Sequence, residues 1–191
     1  MPPSPPPGPL YFSSYHVTAQ AFHRTALSFA FVNIRPLLPG HVLVSPIRST
    51  PRLSHLTPAE VADLFHTVQR VARMVERVFG AQGLNVAVQD GAAAGQSVKH
   101  VHAHIIPRKG DDGWGDRVYE DVDQWEKDEG KRVGVAHPPT GAEGKGEPET
   151  EMGFPKIDDA SRLDRTEDEM NAEAAWLREE MEKDDEAVNA Q

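Results

Sequence analysis

Three histidines alternate with apolar residues in the segment His100-Val-His-Ala-His-Ile-Ile-Pro107. Because successive side chains of a β-strand point to opposite faces, the pattern predicts a strand over 100–107 with His100, His102 and His104 on one face. The other face would carry the apolar residues Val101, Ala103 and Ile105. The chain is therefore expected to build a sheet with one buried apolar face and one face that presents histidines.

Further strands are predicted from short apolar segments that end at turn-forming residues. They lie at 27–33, 41–45 and 84–89. The first two are separated only by Arg35-Pro-Leu-Leu-Pro-Gly40, and such a short connection favours an antiparallel pair. A weaker strand near 11–17 precedes them. We therefore expect a small antiparallel sheet.

A long helix is predicted over 57–79. Thr57 is a good N-cap, Pro58 suits the first helical position, and Glu60 completes a capping box. Apolar residues then recur three and four positions apart until Gly80, a common C-terminal stop. One helix packed on a small antiparallel sheet defines the α+β class.

The 191-residue chain changes composition at about residue 110. Residues 1–110 carry ten Lys or Arg and four Asp or Glu, whereas residues 111–191 carry ten and twenty-six. A polar segment rich in Gly and Pro cannot bury enough apolar surface to offset its ordering entropy. We predict a disordered Pro-rich tail (1–10), a folded domain (11–110), a flexible acidic insertion (111–155) and an acidic C-terminal part (156–191) with a helix over 166–183. The helix would dock through a stripe of Met170, Ala174, Leu177 and Met181, with Trp176 beside it.

The absence of cysteine excludes a disulfide framework, a zinc ribbon, a thiol nucleophile and an iron–sulfur site. No apolar run approaches the roughly 18–20 residues that cross a bilayer. The proline-rich N-terminus lacks the basic and apolar regions of a secretory signal. We therefore expect a soluble protein of the cytoplasm, with the nucleus as a second location, and neither a membrane nor a nucleic acid as partner.

The three imidazoles admit three interpretations, since each ring is polar and titrates near neutral pH. They could be the exposed polar face of an edge strand. They could hold zinc, although a straight row of three rings converges on one ion less easily than two neighbours do. They could include a nucleophile that attacks phosphorus, because neutral imidazole is a good nucleophile and its neighbours can stabilise phosphoryl oxygens. The preceding Gly95-Gln-Ser97 favours this third interpretation, since glycine allows close approach and the amides and hydroxyl can hold an anion.

The histidine segment resembles the His-φ-His-φ-His-φ-φ signature (φ apolar) of the histidine triad superfamily. The wider sequence resembles the fragile-histidine-triad branch in the stretches 29–33, 39–44, 57–65, 86–91, 95–100 and 105–108. Tyr11-Phe-Ser-Ser-Tyr-His-Val-Thr18 is similar to fungal members of that branch in particular. The resemblance covers about residues 11–110.

The resemblance implies a HIT-like fold, in which a five-stranded antiparallel sheet with helices is extended by dimerisation. It implies an enzyme that hydrolyses dinucleoside polyphosphates, preferably diadenosine triphosphate to AMP and ADP, through a covalent nucleotidyl-histidine intermediate. A divalent cation, Mg or Mn, is expected to accompany the substrate phosphates, and no structural metal is expected. A nucleoside phosphoramidase of the same superfamily and a nucleotide-binding signalling module with slow turnover remain alternatives.

The family pattern also implies residue roles. His102 would be the nucleophile, His104 would hold the phosphate, and His100 and His41 would orient the other imidazoles. Gln89 would contact the bridging region of the polyphosphate. The remaining binding candidates are the phosphate loop of Gly95, Gln96, Ser97 and Val98, the ribose-binding Asn33, and His16 as the match to an N-terminal nucleotide contact. Strand alternation adds Phe31 and Leu43, which would form an apolar slot for adenine beside Asn33.

The sequence departs from the branch at two places. Ala92 and Ala93 stand where the branch usually has Pro and Glu, which would loosen the loop and alter turnover. The spacing between His16 and Phe29 also differs from that of the animal proteins.

Overall fold

The computed structural model describes residues 8–110, residue 112 and residues 164–189. Apart from Asp112, the predicted acidic insertion lies outside the described residues, as does most of the predicted Pro-rich tail. The helices and strands of the described part are β1 (Tyr11–Phe12), β2 (Tyr15–His16), β3 (Ala21–Arg24), β4 (Ser28–Val32), β5 (Val42–Pro46), α1 (Pro58–Phe79), β6 (Gly83–Val88), β7 (Ala103–Arg108) and α2 (Glu167–Asn189). No helix in this part of the chain is long and apolar enough to cross a membrane.

Five strands form one antiparallel sheet in the order β3-β4-β5-β7-β6, which confirms the predicted sheet and the α+β class. The weak strand expected near 11–17 is instead a separate two-stranded hairpin, β1–β2. The fifth strand of the sheet is β3, which is not among the predicted strands. It has only four residues, two of them His23 and Arg24, and its pairing with β4 is irregular between Ala21 and His23. Such a short strand has too little alternation to be predicted from sequence.

Helix α1 begins and ends where the sequence predicts. Thr57 is the N-cap, and the capping box is complete, since the Thr57 side chain accepts a hydrogen bond from the Glu60 amide while the Glu60 carboxylate accepts one from the Thr57 amide. Gly80 takes the left-handed conformation with φ 58° and closes the helix. The local signals for this helix are therefore sufficient without tertiary context.

The main core lies between the sheet and both helices. Strand residues such as Ala30, Val44 and Ile105 pack there against α1, and all four predicted stripe residues of α2 are buried against the same cluster. Trp176 is partly buried and meets Phe79 edge-on, with ring centroids 5.6 Å apart. The C-terminal helix therefore docks as predicted. Leu10, the last residue of the predicted Pro-rich tail, is buried too.

The predicted strand over 100–107 is wrong at both ends, because β7 runs from Ala103 to Arg108. The segment before it leaves the sheet: the Val101 amide donates to the carbonyl of Thr50 (2.7 Å), and the Ser45 hydroxyl donates to the carbonyl of Val101 (2.7 Å). His100 and His102 therefore precede the strand, and His104 lies within it. The three rings nevertheless cluster, since all are buried and the centroids of His102 and His104 are 4.9 Å apart.

Candidate active site

The histidine side of the sheet is covered by the N-terminal hairpin. A second apolar cluster fills this space, formed by Leu10, Phe12, Val17, Ala21, Phe29, Phe31 and Leu43. Between this cluster, the histidines and the start of α2 lies a cavity of about 820 Å³. The buried imidazoles therefore border a cavity large enough for a small-molecule ligand.

His102 lines the cavity, and its hydrogen bonding defines which ring nitrogen carries the hydrogen. Its Nδ1–H donates to the carbonyl of His100 (2.8 Å), so the lone pair of the neutral ring lies on Nε2. Burial lowers the pKa of His102, which keeps the ring neutral at pH 7. A neutral imidazole with an oriented lone pair is suited to attack an electrophile.

His100 is held at both ring nitrogens. The backbone amide of Ser13 donates to Nδ1 (2.9 Å), and Nε2–H donates to the carbonyl of Pro46 (2.8 Å). Burial lowers the pKa of His100. The residue therefore cannot turn, and its carbonyl, which accepts from His102, is fixed as well.

His41 and His104 form a second fixed pair. The Leu37 amide donates to Nδ1 of His41 (3.0 Å), so the His41 hydrogen lies on Nε2 and is donated to Nδ1 of His104 (2.9 Å). The His104 hydrogen must then lie on Nε2. Burial holds the pKa of His104 well below its ordinary value. His104 thus brings a neutral N–H donor beside His102.

Several residues predicted for the site are brought together around the cavity. They are His16, Phe31, Asn33, Leu43, Ser97, Val98, His102 and His104. Phe31 and Leu43 are direct cross-strand partners, and Asn33 follows immediately after β4. The Asn33 side chain is fixed, since its Oδ1 accepts from the Arg35 amide (3.0 Å). The predicted apolar slot and the polar group beside it therefore share one wall of the cavity.

The other predicted residues do not line the cavity. His41 and His100 are buried among the rings that they orient, and Gln89 is buried just after β6. Gly95 has φ 81° and ends a short 3₁₀ turn at 92–94. The Gln96 amide accepts from the Gly91 amide (2.9 Å) and donates to the carbonyl of Pro51 (3.0 Å), so its side chain braces the loop.

Sequence reasoning missed part of the cavity wall. Phe12 and Tyr15 come from the hairpin, Arg35 from the loop after β4, and Asp164 and Arg165 from the segment before α2. The Arg165 amide donates to the carbonyl of Ile34 (3.1 Å), which fixes this segment against the loop. The aromatic cluster at 11–15 is a visible signal for the hairpin, whereas the contact of the C-terminal segment is long-range and leaves no local pattern.

Among the described residues, no group of three or more His, Asp or Glu side chains is arranged to hold a metal ion. The site contains hydrogen-bonded imidazoles, and one of them, His102, lines the cavity and carries its lone pair on Nε2. That arrangement is typical of proteins that use a histidine nucleophile.

Comparison with known proteins assigns the family. The sequence profile of the HIT domain matches residues 15–111, and the chain belongs to the HIT domain family. It is 47% identical over 186 residues to the bis(5'-nucleosyl)-tetraphosphatase [asymmetrical] of Schizosaccharomyces pombe, a match that covers 93% of this chain and 100% of that protein. It is 45% identical over 119 residues to the bis(5'-adenosyl)-triphosphatase of Saccharomyces cerevisiae, which covers 62% of this chain and 58% of the yeast protein. The solved structure of the Caenorhabditis elegans NitFhit protein matches with a TM-score of 0.63 and 30% identity, over 93% of this chain and 31% of that one.

Proposed function

We propose that the chain is an enzyme that hydrolyses dinucleoside polyphosphates, preferably diadenosine triphosphate to AMP and ADP, through a nucleotidyl-histidine intermediate. The observation that carries the proposal is the hydrogen bond from His102 Nδ1–H to the His100 carbonyl, which leaves the Nε2 lone pair at the cavity. One of the two fungal relatives is named a tetraphosphatase and the other a triphosphatase, so their names support the class of dinucleoside polyphosphates as substrate. The preference for the triphosphate is a separate proposal.

The first step is attack by Nε2 of His102 on the α-phosphorus. A phosphorus–nitrogen bond forms, the bond to the bridging oxygen breaks, and ADP leaves with the electron pair. The ring becomes cationic, and the His100 carbonyl that accepts from Nδ1–H stabilises this charge. The Nε2–H of His104 donates to a non-bridging phosphoryl oxygen, where charge accumulates in the transition state.

Water completes the reaction. It attacks the same phosphorus, the phosphorus–nitrogen bond breaks, and AMP is released while one proton leaves to the solvent. The electron pair of that bond returns to Nε2, which restores neutral His102. Since burial lowers the pKa of His102, the ring is ready for the next attack without a separate base.

The cavity wall supports the proposed binding roles. Phe31 and Leu43 offer adenine an apolar slot, and Asn33 offers the ribose hydroxyls a fixed amide. Ser97 and Val98 line the same cavity as His102, and the amides of 95–98 would contact the phosphates there. In the same proposal Gln89 contacts the bridging region of the polyphosphate and His16 contacts the nucleotide. The Gln96 side chain holds the phosphate loop in place through Gly91 and Pro51. A divalent cation, Mg or Mn, would arrive on the oxygen-rich polyphosphate itself.

We also propose a homodimer formed along β6. This strand is one edge of the sheet, and an unpaired edge is a ready template for a second strand. Val86 in the middle of β6 is 45% exposed, and Phe65 on α1 is 42% exposed although its helix position is apolar by periodicity. The wild type should therefore sediment with the mass of two chains, and Val86→Lys should sediment with the mass of one. A wild-type protein with the mass of one chain, or a Val86→Lys variant that keeps the mass of two, would contradict the β6 interface.

The function is tested with a substrate panel of diadenosine triphosphate, diadenosine tetraphosphate and an AMP-amine conjugate, with products separated by chromatography. The expected result is AMP plus ADP from the first, slower release of AMP plus ATP from the second, and little release of AMP from the third. Faster cleavage of the conjugate would identify a phosphoramidase instead. Cleavage of none of the three by well-folded protein would contradict an enzymatic role in this class.

The nucleophile is tested on the same substrates. His102→Ala should lower turnover at least 1000-fold and abolish transient labelling of the protein by substrate radiolabelled at the α-phosphate. His66→Ala, an exposed histidine on α1, is the matched control and should react as the wild type does. Turnover by His102→Ala within tenfold of the wild type would refute the assignment.

A further inference from the structure

The hairpin β1–β2 has no place in the main sheet, yet it contacts the reactive histidines. It is closed by the Val17 amide, which donates to the Leu10 carbonyl (3.0 Å), and by the Leu10 amide, which donates to Thr18 Oγ1 (2.8 Å). The main core lies on the other side of the sheet and contains no hairpin residue. The hairpin therefore covers the histidine side without being needed to pack the sheet against the helices.

Phe12 is the hairpin side chain that reaches the nucleophile. Its ring lies edge-on to His102, with centroids 5.1 Å apart and planes at 85°, and it stacks on His100 at 5.5 Å and 24°. On its third side it contacts Phe31 at 5.0 Å. Because Phe12 is 8% exposed and fixed by three rings, it limits rotation of the His102 ring about its side-chain bonds.

Ser13 completes the contact through its backbone. It adopts a left-handed φ of 55°, uncommon for a residue with a side chain, at the hairpin turn. This conformation accompanies the hydrogen bond from its amide to Nδ1 of His100. A protonated His100 would place a second hydrogen against that amide. The hairpin therefore selects the neutral form of His100 with its hydrogen on Nε2, and Nε2–H in turn donates to Pro46.

We propose that the hairpin is a positioning element for the nucleophile, in which Phe12 holds the ring of His102 and the Ser13 amide holds His100, whose carbonyl sets the His102 tautomer. The inference rests on the proposed function, in which His102 Nε2 attacks phosphorus. It assigns to Phe12 and Ser13 an effect on the rate of the chemical step. Phe12 and Ser13 are positioning residues, since they act on the reaction through the two histidines.

The kinetic test compares substitutions at neighbouring positions of β1. A displacement of about 1 Å at a reacting group can cost about 100-fold in rate. Phe12→Leu should therefore lower kcat for diadenosine triphosphate at least tenfold, with KM within about threefold and the thermal unfolding temperature within a few degrees. Phe12→Tyr keeps the ring and should restore kcat to within about threefold. Tyr11→Leu is the matched control, because Tyr11 is 48% exposed and its ring packs on His16. Its kcat should stay within twofold of the wild type.

These outcomes separate positioning from simple packing. Phe12→Leu with kcat within twofold of the wild type would overturn the proposal, and so would an equal loss in Tyr11→Leu. If Phe12→Leu does not fold, Phe12→Met takes its place with the same expectation, because the longer side chain fills more of the volume of the ring.

A second readout does not require activity. Long-range proton–nitrogen NMR correlations distinguish a hydrogen on Nδ1 from one on Nε2 in each histidine. Wild-type protein should show the hydrogen on Nδ1 of His102 and on Nε2 of His100, and Phe12→Leu should show mixed tautomers for His102. Unchanged tautomers in Phe12→Leu would overturn the proposal. If the wild type hydrolyses no member of the substrate panel, the proposed function fails, while this measurement still decides whether the hairpin orders the histidines.

Discussion

Removal of one charge at the start of α1 should weaken the fold in a pH-dependent way. The Glu60 carboxylate accepts hydrogen bonds from Arg48 Nε and Nη2, both at 2.7 Å, from the Thr57 amide at 2.8 Å and from the Thr57 hydroxyl at 3.0 Å. The Arg48 guanidinium and the Thr57 amide hold the pKa of Glu60 at about 2, compared with an ordinary 4.5. Glu60→Gln keeps the shape of the side chain and removes the charge.

The magnitude follows from that difference in pKa. A change from 4.5 to about 2 corresponds to about 3.4 kcal/mol of stability at pH 7. The Arg48 side chain is 53% exposed, so solvent screens its share, and the glutamine keeps part of the capping interaction. We therefore expect Glu60→Gln to lower the free energy of unfolding by about 1–2 kcal/mol at pH 7.

The pH dependence gives the sharper test. Because the folded-state pKa is depressed, the stabilisation is fully present above pH 4.5 and is lost as the pH falls toward 2. The difference between wild type and Glu60→Gln, measured by urea unfolding, should shrink at pH 3 to roughly two-fifths of its pH 7 value. Glu76→Gln, an exposed glutamate on the same helix, is the control and should change stability by less than about 0.5 kcal/mol. A difference for Glu60→Gln that is equal at pH 7 and pH 3 would refute the reasoning.

Other perturbations probe the C-terminal helix, the proposed phosphate loop and the proposed nucleophile. Leu177→Ala, at a side chain with no exposed surface, should lower the free energy of unfolding in urea by about 2–5 kcal/mol, and a change below 1 kcal/mol would mean that α2 is not part of the core. Asp90→Asn removes the carboxylate that accepts hydrogen bonds from Arg52 Nε (3.0 Å) and from the Leu53 amide (2.8 Å), just before the loop at 91–98. KM for diadenosine triphosphate should therefore rise about three- to tenfold. An unchanged KM would show that these contacts do not position the loop. Because burial lowers the pKa of His102, the acid limb of kcat/KM should be centred below the ordinary histidine value of 6.5, and a limb centred above 6.5 would contradict the buried neutral ring.

Local sequence signals were sufficient to predict an element when the residues at its two ends themselves mark where it begins and ends. The capping box at Thr57 and the left-handed Gly80 are chemical marks that need no partner, and α1 lies where they place it. The apolar stripe of α2 likewise predicts which face is buried, since Ala174 and Leu177 have no exposed surface. Helix periodicity is redundant over many residues, so one exception such as Phe65 does not obscure it.

The predictions failed where long-range contacts decide the structure. Alternation alone extends the last strand back to His100, but the Val101 amide bonds to Thr50 instead of continuing the ladder. The backbone around Val101 could pair either with the neighbouring strand or with Thr50. The sequence alone does not show which of these two hydrogen-bond partners it takes. The Gln96 side chain is a similar case, because its contact with the Pro51 carbonyl joins residues 45 positions apart.

The hydrogen bonds of the site distinguish the two functional interpretations of the histidines. A zinc ion needs several ring nitrogens whose lone pairs converge on one point. The Nδ1 lone pairs of His41, His100 and His104 already accept hydrogen bonds, from the Leu37 amide, the Ser13 amide and the His41 ring respectively. Each of these rings must then carry its hydrogen on Nε2, so none offers a lone pair there without breaking its hydrogen bond. His102 has the opposite tautomer because its Nδ1–H is donated to a carbonyl. These hydrogen bonds leave His102 with its lone pair on Nε2 and the neighbouring His104 with an N–H donor on Nε2. This is the division of roles that the proposed nucleotidyl transfer uses, with His102 as nucleophile and His104 as donor to a phosphoryl oxygen.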